Sequence, residues 1–306
     1  MHPALRQLIE TKLAHTHAQQ WELPIAEVRQ AFRALWTPAM TGAPLPVDRV
    51  EDLVIPSAGA PIRARVYARD RRRRDPLMVY LHGGGYVKGG VDESDVFCRN
   101  LSRLAEHIVV SIDYRLAPEH PFPAALDDAF RAYAFLAGGA SEAKELVVMG
   151  DSAGGGLTLA LLLKLRDSGN PLPRAAVALS PWTDLALTGA SLAENAVADP
   201  MLNATHVPEI AQLYLGGADP RTPYVSPLYG DVTGLPPVLI QVGSDEILRD
   251  DAVRMAERLV RGNPRSRLEV WPRMPHCWHL FAPVLPEARQ AIGNIASFIA
   301  NVTAAP

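Results

Sequence analysis

The sequence has 306 residues, of which 48% are hydrophobic and 21% charged, with a formal net charge of −3. That is the composition of a chain that buries a sizeable core, and its slight acidity excludes the basic face that nucleic-acid binding needs. Two cysteines, Cys98 and Cys277, are too few for a disulfide framework.

Residues 1–45 are expected to be helical pieces that form a cap. Leu5, Leu8, Ile9 and Leu13 recur at helical spacing, as do Val28, Phe32, Leu35 and Trp36. The opening stretch lacks the apolar region of a secretion signal, and the longest apolar run, Leu157 to Leu163, is far short of the ~20 residues of a membrane span. A soluble, cytoplasmic protein with no membrane partner is the expectation. Two short strands follow, Val50–Ile55 and Ile62–Tyr67, and the arginine-rich run from Arg69 to Asp75 reads as a solvated turn.

From Leu77 onward, short apolar or β-branched runs alternate with helical segments. The expected strands are Leu77–Leu81, Ile108–Ile112, Leu146–Met149, Ala175–Leu179, Val238–Val242 and Leu268–Trp271. The expected helices are Phe97–Glu106, Ala125–Leu136, Gly154–Arg166, Ala252–Arg261 and about Glu287 to Val302. Such alternation predicts an α/β fold with a mostly parallel central sheet covered by helices on both faces. Residues 46–306 form the catalytic domain in this reading. Within it, residues 181–235 are too long for an ordinary connection and are expected to join the N-terminal helices in the cap, with helical patches at Ser191–Ala198 and Val207–Leu215.

Two glycine-rich segments directly follow strands. Gly150-Asp151-Ser152-Ala153-Gly154 has the form of a nucleophile elbow, a sharp strand-to-helix turn that exposes the serine hydroxyl. His82-Gly83-Gly84-Gly85 lets backbone NH groups approach a reacting carbonyl closely. Gly84, Gly85 and Ala153 are the expected oxyanion donors, while Gly83 shapes the turn and His82 holds the loop.

A serine needs a base, and the base an orienting acid, in the chain order serine, acid, histidine. Asp245, the first carboxylate after Val238–Val242, is the preferred acid, ahead of Glu246, Asp250 and Asp251. His276, in the loop after Leu268–Trp271, is preferred to His279 as the base. Trp182, Tyr214 and Trp278, together with Phe32 and Trp36, are candidates for the acyl pocket. Cys98 reads as a small buried hydrophobe. No H-E-x-x-H and no paired cysteines at ligand spacing occur, so no metal is expected.

The combination of HGGG at 82–85, Asp113-Tyr114-Arg115-Leu116-Ala117-Pro118-Glu119 and GDSAGG at 150–155 resembles the bacterial hormone-sensitive-lipase-like esterases of the α/β-hydrolase superfamily. The likeness runs from about residue 50 to the C-terminus. It implies a triad of Ser152, Asp245 and His276, a helical cap, no cofactor, hydrolysis of short- to medium-chain acyl esters, and a homodimer through the sheet edge near Leu268–Trp271. The family often has D-P-L where this chain has Asp245-Glu246-Ile247, and His-Gly-Phe where it has His276-Cys277-Trp278. Other readings of the same triad are a lactone, amide or acetyl-group hydrolase; a ligand-binding protein on the same scaffold is disfavoured by the presence of His276.

Overall fold

The computed structural model describes residue 9 and residues 23–57, 59–68, 76–139 and 143–304. The expected helix around Leu5, Leu8 and Leu13 and the arginine-rich turn 69–75 lie outside these residues.

The strands are β1 (Arg49–Ile55), β2 (Ile62–Ala68), β3 (Leu77–Leu81), β4 (Val109–Ile112), β5 (Leu146–Asp151), β6 (Ala175–Leu179), β7 (Val238–Gly243) and β8 (Arg267–Trp271). They form one sheet in the order β1-β2-β4-β3-β5-β6-β7-β8. β2 is antiparallel to both β1 and β4, and every later pairing is parallel. The expected mostly parallel sheet is therefore present, and its ends agree with the sequence reading to within two residues.

The central strands are apolar almost throughout because both of their faces are covered. In β5, Val147 and Met149 point into one core cluster with Phe97 and Leu101 of α2 (Asp95–Ala105) and Ile292 and Phe298 of α7 (Pro286–Ala304). Val148 points the other way, into a cluster with Ala129 and Tyr133 of α3 (Ala124–Gly139) and Leu157 and Leu161 of α4 (Ala153–Asp167). Each such buried side chain contributes roughly 1.5–3 kcal/mol of transfer free energy, so the period-two alternation fixes the register of the strand. α6 (Arg249–Gly262) packs Met255 and Leu259 against Val238 and Ile240 of β7.

Two longer helices among the described residues lie beyond this frame. α1 (Ile25–Leu35) sends Arg29 to the carbonyls of Val87 (2.8 Å) and Ala117 (2.9 Å) and to Glu119 (2.7 Å). α5 (Val207–Leu215) matches its expected span, whereas the patch expected at Ser191–Ala198 is helical only over Ser191–Glu194. Beyond Glu194 the chain turns towards Asp199, whose carboxylate takes the backbone NH groups of Met201 and Ile247 and so draws the segment out of helical geometry.

Candidate active site

The carboxyl ends of β3, β5, β7 and β8 bring the site together. At the end of β5, Ser152 has φ +55°, a conformation that costs a non-glycine residue about 1–3 kcal/mol and persists only where surroundings over-determine it. Here the Ser152 NH donates to the Leu179 carbonyl (2.8 Å), and the Ser152 carbonyl accepts from Gly156 and Trp182 (both 3.0 Å). Gly154 is required because a Cβ there would sit 2.0 Å from the Leu81 carbonyl oxygen and 2.5 Å from that of His82. The start of α4 thus lies against the end of β3, and its positive end faces the serine.

The loop after β3 is fixed through Asp151. One carboxylate oxygen accepts from the Tyr80 hydroxyl (2.5 Å) and from the Gly83 NH (2.8 Å). Gly84 has φ +118°, and a Cβ there would meet the Lys88 carbonyl oxygen at 2.1 Å. Among the described residues, nothing takes the NH groups of Gly84, Gly85 or Ala153, and all three belong to the turns flanking Ser152. The Gly83 NH is consumed internally, as its expected turn-shaping role requires. His82 stacks on Tyr114 (4.1 Å between centroids, 6° between planes) and accepts the Tyr114 hydroxyl at its carbonyl (2.6 Å), which makes it a loop anchor.

His276 is 4% exposed and its Nδ1 lies 3.0 Å from Glu246 Oε2. The acid beside the base is therefore Glu246, and the preference for Asp245 is corrected. After Gly243 the backbone makes one more turn, which leaves Asp245 partly exposed with its carboxylate on the Ser244 hydroxyl (2.9 Å). Glu246, wholly buried and one methylene longer, folds back beneath the strand end. Its Oε1 accepts from the Gly243 NH (2.5 Å) and the Ser180 hydroxyl (2.7 Å), leaving Oε2 for the imidazole. The signal available in the sequence was the third residue of the family's D-P-L: Glu246-Ile247-Leu248 keeps the leucine, and Asp245-Glu246-Ile247 does not. Asp250 and Asp251 have other work. Asp250 accepts the Ser191 NH (3.0 Å), and Asp251 accepts the NH groups of Thr183 and Asp184 (both 2.8 Å).

Burial pushes the His276 imidazole down, while Asp199 and Asp151 nearby pull it up. Burial pushes the Glu246 carboxyl well up, opposed by its bonds from Gly243 and Ser180. Asp199 is raised to about 6, again by burial. His279 lies elsewhere: it bonds Gln241 through Nε2 (3.0 Å), packs tilted against Trp278 (3.8 Å between centroids), and burial lowers it to about 3. Cys277 Sγ lies 3.3 Å from His276 Nε2, and Cys98 is a buried member of the core, as expected.

Ser152, His276, Cys277 and Gly83 to Gly85 line one cavity of about 140 Å³. Its walls are largely apolar: Phe32, Leu35 and Trp36 of the α1 segment on one side, and Met201, Leu202, Val207 and Ile210 on another. Of the expected pocket aromatics, Trp182, Phe32 and Trp36 line it. Tyr214 and Trp278 do not and are corrected to core residues: Tyr214 stacks on Tyr86 (3.7 Å), and Trp278 packs between Trp271 and His279. The aliphatic wall from 201 to 210 was missed because its residues follow no helical period up to His206. Among the described residues, no group of three or more His, Cys, Asp and Glu side chains is arranged to hold a metal ion, and no helix is long and apolar enough to cross a membrane.

The alpha/beta hydrolase fold family matches residues 78–280. An acetyl-hydrolase of Streptomyces hygroscopicus is 42% identical over 237 residues, 78% of this chain and 79% of that protein. A carboxylesterase of Mycobacterium tuberculosis, NlhH, is 35% identical across 95% of this chain and 93% of its own. Among solved structures, an esterase from the bacterial hormone-sensitive lipase family superposes with a TM-score of 0.88 at 39% identity, covering 98% of both chains. A hyperthermophilic esterase from the archaeon Pyrobaculum calidifontis gives 0.90 at 34% identity, over 100% of this chain and 99% of its own.

Proposed function

Because this chain belongs to the α/β-hydrolase family, among its hormone-sensitive-lipase-like carboxylesterases, we propose that it hydrolyses short- to medium-chain acyl esters through Ser152, His276 and Glu246. The observation that carries the proposal is the buried Glu246–His276 contact of 3.0 Å beside a serine on a strained elbow in the same cavity.

In this mechanism His276 Nε2 takes the Ser152 proton as Oγ attacks the ester carbonyl. The carbonyl oxygen becomes an oxyanion and accepts from the NH groups of Gly84, Gly85 and Ala153, preorganised donors each worth about 3 kcal/mol in such sites. His276 then passes its proton to the leaving alkoxide. Water, deprotonated by the same nitrogen, attacks the acyl-enzyme, and the returning proton restores Ser152. Glu246 accepts from Nδ1 throughout, which fixes the tautomer and steadies the imidazolium.

Residues 23–45 and 181–235 act as the cap, whose apolar wall takes the acyl chain. The protein is read as cytoplasmic and as a homodimer joined along β8, the outer strand, where Val270 is 44% exposed; light scattering at twice the mass of one chain checks the assembly. The activity is tested with p-nitrophenyl esters from acetate to palmitate, beside Ser152→Ala and His276→Ala. Fastest turnover on short or medium chains, with a loss on the order of a thousandfold or more in both variants, supports the proposal. Wild-type activity confined to lactones or amides would refute the acyl-ester reading.

A further inference from the structure

The acid loop is clamped from outside. Asn195 Nδ2 donates to the carbonyls of Ser244 (3.0 Å) and Glu246 (2.8 Å). Four residues on, Asp199 Oδ2 accepts the NH of Ile247 (3.1 Å), the residue after the acid, and Oδ1 accepts the NH of Met201 (2.9 Å). Asp199 is only 4% exposed. The stretch then continues directly into Met201, Leu202 and Asn203, which wall the cavity. The segment that walls the cavity is thus the one that holds the Glu246 loop, and it brings a second buried carboxylate to the same place.

From these contacts we infer that Asp199 is a positioning residue for the Ser152–His276–Glu246 reaction, seating Glu246 through the Ile247 NH and supplying a second negative charge that favours the imidazolium. This rests on the mechanism proposed above. A buried carboxylate is costly unless it is well bonded, and two backbone NH groups serve it here. Its charge reaches the imidazole through a poorly screened interior, where a neighbouring opposite charge moves a titration by about 1–3 pH units. The groups that face the imidazole are Glu246 and Asp199, with Asp151 and Cys277 on the serine side. Asp199 in turn faces His276 and Glu246.

The test is the pH profile of kcat/KM for p-nitrophenyl butyrate in Asp199→Asn. Asparagine keeps the size of the side chain but removes the charge. At a pH where Asp199 is ionised, its anion holds the His276 proton more tightly, so its loss lets His276 deprotonate at lower pH. The acid limb is expected to move down by about one pH unit. The imidazolium formed during acylation loses the same stabilisation, so kcat at pH 8 is expected to fall about tenfold with KM nearly unchanged. Asp199→Glu, which restores the charge, is expected to return the limb towards its wild-type position. An Asn variant that melts earlier but keeps the wild-type limb would reduce Asp199 to a structural residue and overturn the inference. Should neither variant fold, the wild-type protein carries the test through 15N-labelled histidine. The His276 ring nitrogens are expected to titrate in two steps, one of them reporting the ionisation of Asp199; a single step overturns the inference. Absence of ester hydrolysis in the wild type is a different failure, since it removes the mechanism itself.

Discussion

Cys277 places a thiol 3.3 Å from His276 Nε2, the nitrogen that serves Ser152 in the proposed mechanism. A thiol reacts as its thiolate, and burial pushes Cys277 well above its ordinary range, so it is poorly suited to replace the serine. Its φ of +52° also suits glycine. Cys277→Gly is therefore expected to keep kcat/KM within about tenfold, measured on p-nitrophenyl butyrate beside Ser152→Ala; inactivity of the Gly variant alone would assign the nucleophile to the thiol. Because burial lowers His276, the acid limb of wild-type kcat/KM is expected below the usual imidazole value of about 6.5, with activity rising as pH increases through it and the base loses its proton. At this scale the meeting of Ser152, His276 and the glycine-rich loop in one cavity was legible, because each follows a strand directly. The carboxylate beside His276 was not: Asp245 and Glu246 are neighbours, and which one faces the imidazole depends on a turn at Gly243 and Ser244 that apolar periodicity does not encode.

At the scale of elements, the site depends on α4 reaching the end of β3. A Cβ on Gly154 would lie 2.0 Å from a backbone oxygen, which no rotamer change relieves. Gly154→Ala is expected to destabilise the protein by about 3 kcal/mol or more, seen as an early thermal transition or as failure to fold; an unchanged transition would show that the helix can slide away from β3. Strands β3 to β7 were readable because burial on both faces makes them continuous apolar runs. The stretch 181–235 was readable in its unusual length and in the helix Val207–Leu215, but not in the turns between. Asn195 and Asp199 pull its polypeptide into turns through bonds to a loop some 50 residues away, and local sequence does not announce such bonds.

For the whole molecule, the cavity lies at the sheet's carboxyl end, with Trp36 and Phe32 on the α1 side and Ile210 on the α5 side. Helix α1 is held there by Arg29 on Glu119 and on two carbonyls. Trp36→Ala removes a large wall residue and is expected to shift the preferred p-nitrophenyl ester to a longer acyl chain, by a few carbons; an unchanged profile would mean that the acyl chain lies along another wall. Tyr214 and Trp278 were candidates for that wall in the sequence, with core packing the alternative, since sequence alone does not say whether an aromatic packs inward or towards a cavity. The central claim is that Glu246, not Asp245, orients His276, and it is tested most directly by kcat/KM for p-nitrophenyl butyrate in Glu246→Gln beside Asp245→Asn. Glutamine donates where the imidazole must donate, so a loss on the order of a hundred- to ten-thousandfold is expected for Glu246→Gln, with Asp245→Asn close to wild type. A large loss in Asp245→Asn with Glu246→Gln nearly unaffected would contradict it.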